Sequence, residues 1–317
     1  MSASQDAASA GEHTPVLYQN VLSALQLRPG ERYIDGTVGA GGHARGILAG
    51  SSPDGMLLGL DRDPAALTIA AHTLAPFEGR YFLRRSSYAQ MATRAEELGW
   101  EKVFGVLLDL GLSSMQLADP ARGFSFLLEG PLDMRFDPET DMSAAELVNT
   151  LDETELVRIL SEYGEEPRSR TVARAIIASR PIRTTGQLAE IASRNAARTR
   201  RGLHPATRTF QALRIAVNHE LETLQAGLAA ALGLLKPGGR VAVIAFHSLE
   251  DRIVKQFFNR ERQDCICPPE QPVCTCGHKA TLRLITRRPE RPSETEIKQN
   301  PRARSARLRV AERLPLA

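Results

Sequence analysis

The sequence predicts an α/β fold, in which a mostly parallel sheet carries an inserted all-helical segment. In residues 13–118, short apolar runs alternate with stretches of helical periodicity, which is typical of parallel βαβ units. Residues 119–204 show helical spacing and no strand pattern. Helix and strand patterns resume after residue 204. We therefore expect a discontinuous sheet domain, 13–118 and 205–317, that is interrupted by a helical domain, 119–204.

The predicted sheet elements follow from apolar runs that end in Asp or in glycine-rich turns. The expected strands are Arg32–Asp35, Met56–Asp61, Tyr81–Arg84, Val103–Asp109, Arg240–Phe246, and a closing pair at Leu282–Thr286 and Ala306–Ala311. The expected helices between them are Ala44–Leu48, Pro64–Leu74, Gln90–Leu98 and one long helix over about Pro205–Leu235.

The insertion carries helix start signals followed by apolar residues at helical spacing. Ser143 to Glu146 and Asp152 to Glu155 both match a capping box, in which the side chains at each end satisfy backbone N–H groups. Further helices are indicated by Val172 with Ile176 and Ile177, and by Leu188 with Ile191 and Ala192.

Composition and charge limit the classes of protein that remain. The 317 residues are 42% hydrophobic, yet no run approaches the 18 apolar residues of a membrane span. The first dozen residues have no apolar core of a signal peptide, so 1–12 is expected to be a disordered leader. The sequence therefore predicts a cytoplasmic protein without a membrane segment.

The net charge of +3 conceals a strong internal asymmetry. Residues 119–166 hold 13 acidic residues against 3 arginines, whereas 167–204 hold 9 arginines against one glutamate. Residues 278–313 hold 11 Lys and Arg against 4 acidic residues. Basic segments attract nucleic acid, but they also pair with acidic segments of the same chain, and charge alone leaves both readings open.

The segment Tyr33–His43 predicts a nucleotide-type cofactor site. It runs from a strand through the turn Gly36-Thr-Val-Gly-Ala-Gly-Gly42 into a helix, and glycines let the backbone approach a ligand closely. Asp61 ends the next strand and can bind both hydroxyls of a ribose. An NAD site fits this glycine pattern as well. However, Asp35 would repel a pyrophosphate, whereas it suits the ammonium of a methionine moiety.

Asp109 and His247 are the candidate catalytic side chains. Asp109 ends an apolar strand, where ligands bind in open α/β sheets, and an unpaired buried carboxylate is costly. Its alternative role is to cap a helix. His247 follows the strand Arg240–Phe246, and both a structural and a catalytic role stay open for it.

Nine motifs in order resemble the MraW/RsmH family of small-subunit ribosomal RNA methyltransferases. They are His13-Thr-Pro-Val-Leu17, Asp35-Gly-Thr-x-Gly-x-Gly-Gly-His43, Asp61-Arg-Asp-Pro64, Asp109-Leu-Gly-x-Ser-Ser114, Arg122-Gly-Phe-Ser-Phe126, Gly130-Pro-Leu-Asp-Met-Arg135, His204-Pro-Ala-Thr-Arg-Thr-Phe-Gln211, Phe246-His-Ser-Leu-Glu-Asp-Arg252 and Asn300-Pro-Arg-Ala-Arg-Ser305. The resemblance implies a Rossmann-like class I methyltransferase domain with an inserted helical substrate-recognition domain. It also implies methyl transfer from S-adenosylmethionine to N4 of a cytidine in the decoding centre of 16S rRNA, in the small ribosomal subunit. By position in the motifs, the implied cofactor contacts are Gly41, Gly42, His43, Asp61, Tyr88, Asp109 and Gln116.

The chemistry of an exocyclic amine agrees with this implication. The N4 lone pair of cytosine is delocalised into the ring, so a carboxylate such as Asp109 would accept an N4–H bond and later the proton. No aromatic residue follows Asp109 to stack on the base, and Phe124 or Phe126 is expected to supply it. Two alternatives stay open here: an NAD-dependent oxidoreductase, and a non-catalytic RNA-binding or ribosome assembly protein.

All four cysteines fall within one short segment. Cys265, Cys267, Cys274 and Cys276 form two Cys-x-Cys pairs, and His278 follows them. The expected cytoplasmic setting disfavours disulfides, whereas four thiolates can surround one structural zinc ion. The spacing differs from the usual Cys-x-x-Cys, so a surface loop without metal is the competing interpretation.

Overall fold

The computed structural model describes residues 15–139, 142–197, 204–268, 270–271 and 273–315. Contacts divide the chain into two units. We call the first the sheet unit; it comprises Met1–Asp61, Ala65–Leu110 and Ala229–Ala317. The second, the helical unit, comprises Arg62–Pro64 and Gly111–Leu228. The predicted leader, 1–12, lies outside the described residues.

Seven strands and thirteen α-helices make up the described chain. The strands are β1 (Arg32–Asp35), β2 (Met56–Asp61), β3 (Tyr81–Arg85), β4 (Val103–Asp109), β5 (Leu235–Ala245), β6 (Leu282–Leu284) and β7 (Arg307–Arg313). The helices are α1 (Tyr18–Leu25), α2 (Gly42–Gly50), α3 (Pro64–Leu74), α4 (Met91–Glu96), α5 (Ser114–Ala118), α6 (Ala144–Thr150), α7 (Glu153–Glu162), α8 (Ser169–Ala178), α9 (Thr185–Asn195), α10 (Thr207–Asn218), α11 (Glu220–Leu234), α12 (Ser248–Glu261) and α13 (Glu294–Gln299).

The sheet unit contains one seven-stranded sheet in the order β3-β2-β1-β4-β5-β7-β6. The first five strands in this order are parallel, whereas β7 runs antiparallel to both β5 and β6. The predicted mostly parallel sheet and its closing strand pair are therefore confirmed. The strand order reverses between β1 and β4, which is where ligands bind in open α/β sheets.

Strands β2 and β4 form because they are apolar up to their last residue, as burial on both faces of a parallel sheet requires. In β4, every residue from Val103 to Leu108 is buried, and only the terminal Asp109 is partly accessible. The first four predicted strands are confirmed, with β3 one residue longer than expected. Each of β1, β2 and β4 ends in a carboxylate, so these acids share one edge of the sheet.

The helical unit has its own hydrophobic core. Leu156 and Leu160 of α7 and Val172 and Ile176 of α8 belong to it. Ser143 and Glu146 form the predicted capping box at α6, and the Asp152 side chain accepts the N–H of Glu155 at α7. The unit extends beyond the predicted insertion, 119–204, since Phe210 and Leu213 of α10 pack into the same core.

The predicted single helix over about Pro205–Leu235 is wrong, because the chain breaks between α10 and α11. His219 adopts a left-handed backbone, with φ at 50°. The neighbouring Asn218 is buried, and its side chain bonds the N–H of Phe136 at 2.8 Å and the carbonyl of Met134 at 2.8 Å. These tertiary hydrogen bonds end the helix at a point where its own sequence contains no breaker.

Strand β5 also begins earlier than predicted. It includes Lys236-Pro-Gly-Gly239, which reads as a turn in the sequence, and its pairing with β4 is irregular between Val103 and Gly105. In the part of the chain that the structure describes, no helix has the combined length and apolarity needed to cross a bilayer.

Candidate cofactor and catalytic site

The loop that follows β1 is held between the ends of β2 and β4. The N–H of Gly36 donates to the carbonyl of Leu107 at 2.9 Å, and the N–H of Val38 donates to that of Leu60 at 2.9 Å. The N–H of Gly39 donates to Asp61 Oδ2 at 2.9 Å. These three bonds fix the glycine loop across the reversal in strand order, so the backbone is already ordered for a ligand.

Glycine is required in this loop for packing as well as for conformation. A Cβ on Gly36 would lie 2.6 Å from Leu108 Cδ2 and 2.8 Å from Tyr88 Cβ. Gly41 precedes α2 with φ at +85°, and a Cβ on Gly42 would lie 2.5 Å from Pro15 Cγ. The roles of Gly41, Gly42 and Tyr88 as cofactor contacts stay predictions, but the structure places all three at this loop.

Asp35 is a buried acid at the base of the loop. Its side chain is 1% exposed, and its Oδ1 accepts the N–H of Thr37 at 3.1 Å. Burial raises the pKa of Asp35 to about 7, and the charge of Asp61 contributes in the same direction. A cationic group bound beside Asp35 would therefore find a carboxyl that titrates near neutral pH.

Asp109 ends β4 beside the same loop. Its N–H donates to Thr37 Oγ1 at 2.7 Å, which ties the strand end to the loop. Its Oδ2 lies 3.6 Å from His43 Nδ1, and its Oδ1 is buried without a hydrogen-bond partner among the described residues. Burial raises the pKa of Asp109 well above its usual range, and the charges of Asp35 and Glu250 raise it further. Such an orphaned, perturbed carboxyl is typical of a functional site.

His43 is a neutral ring that faces Asp109. The ring is 5% exposed, stacks on Tyr18 with centroids 5.9 Å apart, and places Nε2 3.1 Å from the carbonyl of Val16. A carbonyl can only accept, so Nε2 carries the hydrogen and Nδ1 presents a lone pair towards Asp109. Burial lowers the pKa of His43 to about 4. The family motif predicts that His43 contacts the cofactor. Nothing in the sequence indicated that His43 lies beside Asp109.

Gln116 lies in the helical unit, where both ends of its amide are engaged. Its Oε1 accepts the N–H of Ser113 at 3.1 Å in a capping box, and its Nε2 donates to Asp63 Oδ2 at 3.1 Å. Arg122 also pairs with Asp63, at 2.5 Å. Gln116 thus organises the start of α5, and its contact with a cofactor stays a prediction.

The two candidate stacking residues differ in accessibility. Phe124 is 5% exposed and stacks on Phe136 in the core of the helical unit, with centroids 5.6 Å apart. Phe126 is half-buried and stacks on His204 at 4.6 Å. Phe126 is therefore the more accessible of the two, and a contact of either ring with the target base stays a prediction.

His247 lines a cationic cavity in the sheet unit, which we call the arginine cavity. The cavity has a volume of about 290 Å³ and is lined by Phe246, His247, Ser248, Arg291, Arg304, Ser305, Ala306 and Arg307. The His247 side chain is 10% exposed, and its Nε2 lies 3.1 Å from Glu250 Oε1, within hydrogen-bond distance. The sequence indicated a basic segment here but could not show that its arginines surround a cavity.

The four cysteines come together in an exposed segment of the sheet unit between α12 and β6. Their sulfur atoms all lie within 4.8 Å of one another. His278 follows the cluster and does not belong to it. The structure therefore brings the four thiols together as predicted. It does not place His278 among them as an alternative ligand.

Comparison with known proteins places the chain among methylases. The model of the MraW methylase family matches residues 10–314. The chain is 56% identical to ribosomal RNA small subunit methyltransferase H of Thermomicrobium roseum over 95% of this chain and 94% of that protein. It is 53% identical to the protein of the same name from Syntrophotalea carbinolica, over 96% and 98% of the two chains. The chain belongs to the MraW methylase family, and it is a methyltransferase.

Proposed function

We propose that this methyltransferase transfers a methyl group from S-adenosylmethionine to N4 of a cytidine in small-subunit ribosomal RNA. The observation that carries the proposal is Asp109 beside the glycine loop, a carboxyl with a raised pKa whose Oδ1 is buried without a hydrogen-bond partner among the described residues. The names of the relatives support an rRNA substrate of the small subunit. The motif resemblance supports the cytidine N4 atom and the decoding centre of 16S rRNA. An rRNA substrate places the activity in the cytoplasm.

The cofactor would be held by groups around the glycine loop. Asp61 uses one oxygen for the N–H of Gly39, and a carboxylate has further lone pairs with which to accept two ribose hydroxyls. Asp35 would face the ammonium of the methionine moiety. When bound, S-adenosylmethionine supplies an electrophilic methyl on a cationic sulfur. That positive charge favours the ionised forms of both Asp35 and Asp109.

Asp109 would act on the target amine. The ionised carboxylate would accept an N4–H bond, which raises the electron density on the nitrogen that takes the methyl group as the methyl–sulfur bond breaks. The nitrogen then loses its proton to the carboxylate, and the raised pKa of Asp109 makes it a stronger base for that step. Alignment of the amine with the methyl group can contribute roughly 7–11 kcal/mol.

The alternative of an NAD-dependent oxidoreductase predicts a different ligand. Titration of the full chain with S-adenosylmethionine and with NAD distinguishes the two. We expect saturable heat with S-adenosylmethionine alone, because its cationic groups favour the ionised forms of Asp35 and Asp109, whereas those ionised forms repel the pyrophosphate of NAD. Binding of NAD alone would overturn the proposal. Membership of a methylase family removes the support for a non-catalytic RNA-binding or assembly protein.

Cofactor affinity should depend on pH through Asp35. Its pKa is raised to about 7, so the carboxylate that attracts the ammonium is lost as pH falls below 7. Calorimetry between pH 5.5 and 7 should show affinity for S-adenosylmethionine falling by roughly tenfold per pH unit at the acid end. The Asp35→Asn variant should bind more weakly and lose most of this slope. An unchanged slope in that variant would show that another group titrates.

The arginine cavity is the part of the sheet unit that we propose to bind RNA phosphates. Arg291 and Arg304 line it, and α12 begins there at Ser248. Arginines and a helix N-terminus together favour an anion. Arg307, which also lines the cavity, pairs with Asp251 at 2.8 Å and is already engaged.

Neutralising the cavity should weaken RNA binding in a salt-dependent way. The double variant Arg291→Ala with Arg304→Ala should lower the slope of log affinity against log salt by about two, one for each lost phosphate contact. Arg287→Ala with Arg288→Ala removes the same charge from exposed residues outside the cavity lining and is the matched control. Equal effects of the two pairs would mean that only net charge matters.

The helical unit is proposed to contribute to RNA recognition as well. Of the basic residues expected to do so, Arg198, Arg200 and Arg201 lie outside the described residues. Arg174 pairs with Glu153, so part of the basic segment neutralises the acidic one. Structural zinc, the second cofactor predicted from the sequence, has no part in the methyl transfer and is proposed as a separate ion.

A further inference from the structure

We propose that Cys265, Cys267, Cys274 and Cys276, which we call the cysteine cluster, bind one Zn²⁺ in a closed structural site. The proposal concerns the segment between α12 and β6 and does not depend on the methyl transfer. Binding would proceed by loss of the four thiol protons and formation of four Zn–S bonds, without any change in oxidation state.

The separations of the sulfur atoms match those around a shared metal ion. A tetrahedral ion with Zn–S bonds of about 2.3 Å places its sulfur ligands about 3.8 Å apart. In the cluster, Cys274 Sγ lies 3.6 Å from Cys276 Sγ, which lies 3.9 Å from Cys265 Sγ. All four sulfurs lie within 4.8 Å of one another. A disulfide would instead bring two of them to about 2.05 Å.

Backbone donors point at the sulfur atoms from within the same segment. The N–H groups of Ile266 and His278 donate to Cys276 Sγ at 3.4 and 3.5 Å. The N–H of Cys267 donates to Cys265 Sγ at 3.4 Å. Such bonds stabilise negative charge on sulfur and orient the ligands, as hydrogen bonds around metal ligands do. Four thiolates on one dication leave two negative charges, which these donors partly offset.

Few other hydrogen bonds hold this segment in a defined conformation: Gln271 Nε2 donates to the carbonyl of Val273 at 3.0 Å and to Thr275 Oγ1 at 2.8 Å. It is closed at its base, where the N–H of Thr281 donates to the carbonyl of Glu261 at 2.7 Å and the N–H of Ala280 donates to Asp264 at 3.2 Å. Beyond that base, no described residue from Arg262 to Lys279 is buried, and Val273 is 69% exposed. A segment without a hydrophobic core can hold four thiols together stably if the binding of a metal ion supplies the free energy.

The donor set indicates a structural role. Four protein ligands complete the coordination of zinc and leave no open position for water or substrate. His278 contributes its backbone N–H and not its ring. The geometry therefore favours four cysteine ligands over three cysteines and one histidine. Zinc here would therefore hold the connection between α12 and the β6–β7 hairpin at the edge of the sheet.

The test is metal analysis of the full-length protein, purified under reducing conditions without chelator. We expect one zinc per chain, four thiols that become reactive only after chelation, and intense visible absorption when Co²⁺ replaces zinc in a tetrahedral thiolate site. The variant Cys274→Ser with Cys276→Ser should lose the metal. The control variant His278→Ala should keep it.

A second readout follows the segment itself. Residues 263–278 contain no Lys or Arg, so the shortest tryptic fragment that contains the cluster arises from cuts after Arg262 and Lys279. Both cuts should be slow in the zinc-loaded protein and fast after chelation, while affinity for S-adenosylmethionine is unchanged. Absence of metal with four freely reactive thiols, two disulfides under reducing purification, or loss of zinc in His278→Ala would each overturn the four-thiolate site.

Discussion

Replacing Asp109 with alanine should lower the single-turnover rate of methyl transfer by ~10²–10⁴-fold, the usual contribution of a positioned general base. The carboxyl has an orphaned buried oxygen, and the neutral His43 ring lies 3.6 Å from its other oxygen. The assay is a single turnover at saturating cofactor, so that weaker cofactor binding cannot imitate a slower chemical step. A near-normal rate under these conditions would remove Asp109 from the reaction.

The Asp109→Asn variant separates loss of chemistry from loss of structure. The folded protein raises the pKa of Asp109, so it binds the carboxyl proton more tightly than the unfolded chain does. Asp109 therefore lowers the free energy of unfolding of the wild-type protein as pH rises above the ordinary carboxyl pKa, and this loss grows until the raised pKa is reached. An asparagine of the same size never ionises. We therefore expect Asp109→Asn to be nearly inactive and to unfold at pH 8 no earlier than the wild-type protein.

Replacing Asp61 with alanine should weaken binding of S-adenosylmethionine by roughly 10²- to 10⁴-fold. Hydrogen bonds to a charged group contribute about 1.5–3 kcal/mol each, so two ribose hydroxyls would together contribute about 3–6 kcal/mol. Asp61 also holds the N–H of Gly39 at 2.9 Å, so its removal loosens the glycine loop. Calorimetry of the two proteins at one pH measures the change directly.

Asp61→Asn is the matched control for that loop contact. Its amide oxygen can still accept the N–H of Gly39, whereas its NH₂ group cannot accept a ribose hydroxyl. We expect a loss of affinity smaller than that of Asp61→Ala, with RNA binding unchanged in both variants. If Asp61→Ala binds the cofactor as tightly as the wild-type protein, the ribose site lies elsewhere.

The strands and the acidic edge of the sheet could be predicted because they depend on local sequence. Strands β2 and β4 are apolar runs that end in Asp61 and Asp109, and the shorter β1 places Tyr33 and Ile34 before Asp35. Carboxyl ends of parallel strands share one edge, so the approach of these acids followed from the order of elements alone.

Features that depend on distant residues could not be predicted. Helix α10 ends because Asn218 bonds to Met134 and Phe136, more than 80 positions earlier in the chain. The raised pKa of Asp109 depends partly on Glu250, the neutral state of His43 depends on its burial, and its tautomer depends on the carbonyl of Val16. Neither hydrophobic periodicity nor motif spacing predicts these contacts, because each forms only when separate segments of the chain pack together.

The most direct test of the account is transfer of a tritiated methyl group from S-adenosylmethionine to small ribosomal subunits that lack the modification, followed by nucleoside analysis. We predict label in N4-methylcytidine from 16S rRNA, up to one methyl group per subunit, and almost none with the Asp109→Ala variant. Label in any other nucleoside, or equal labelling by that variant, would contradict a methyl transfer to the cytidine amine that depends on Asp109.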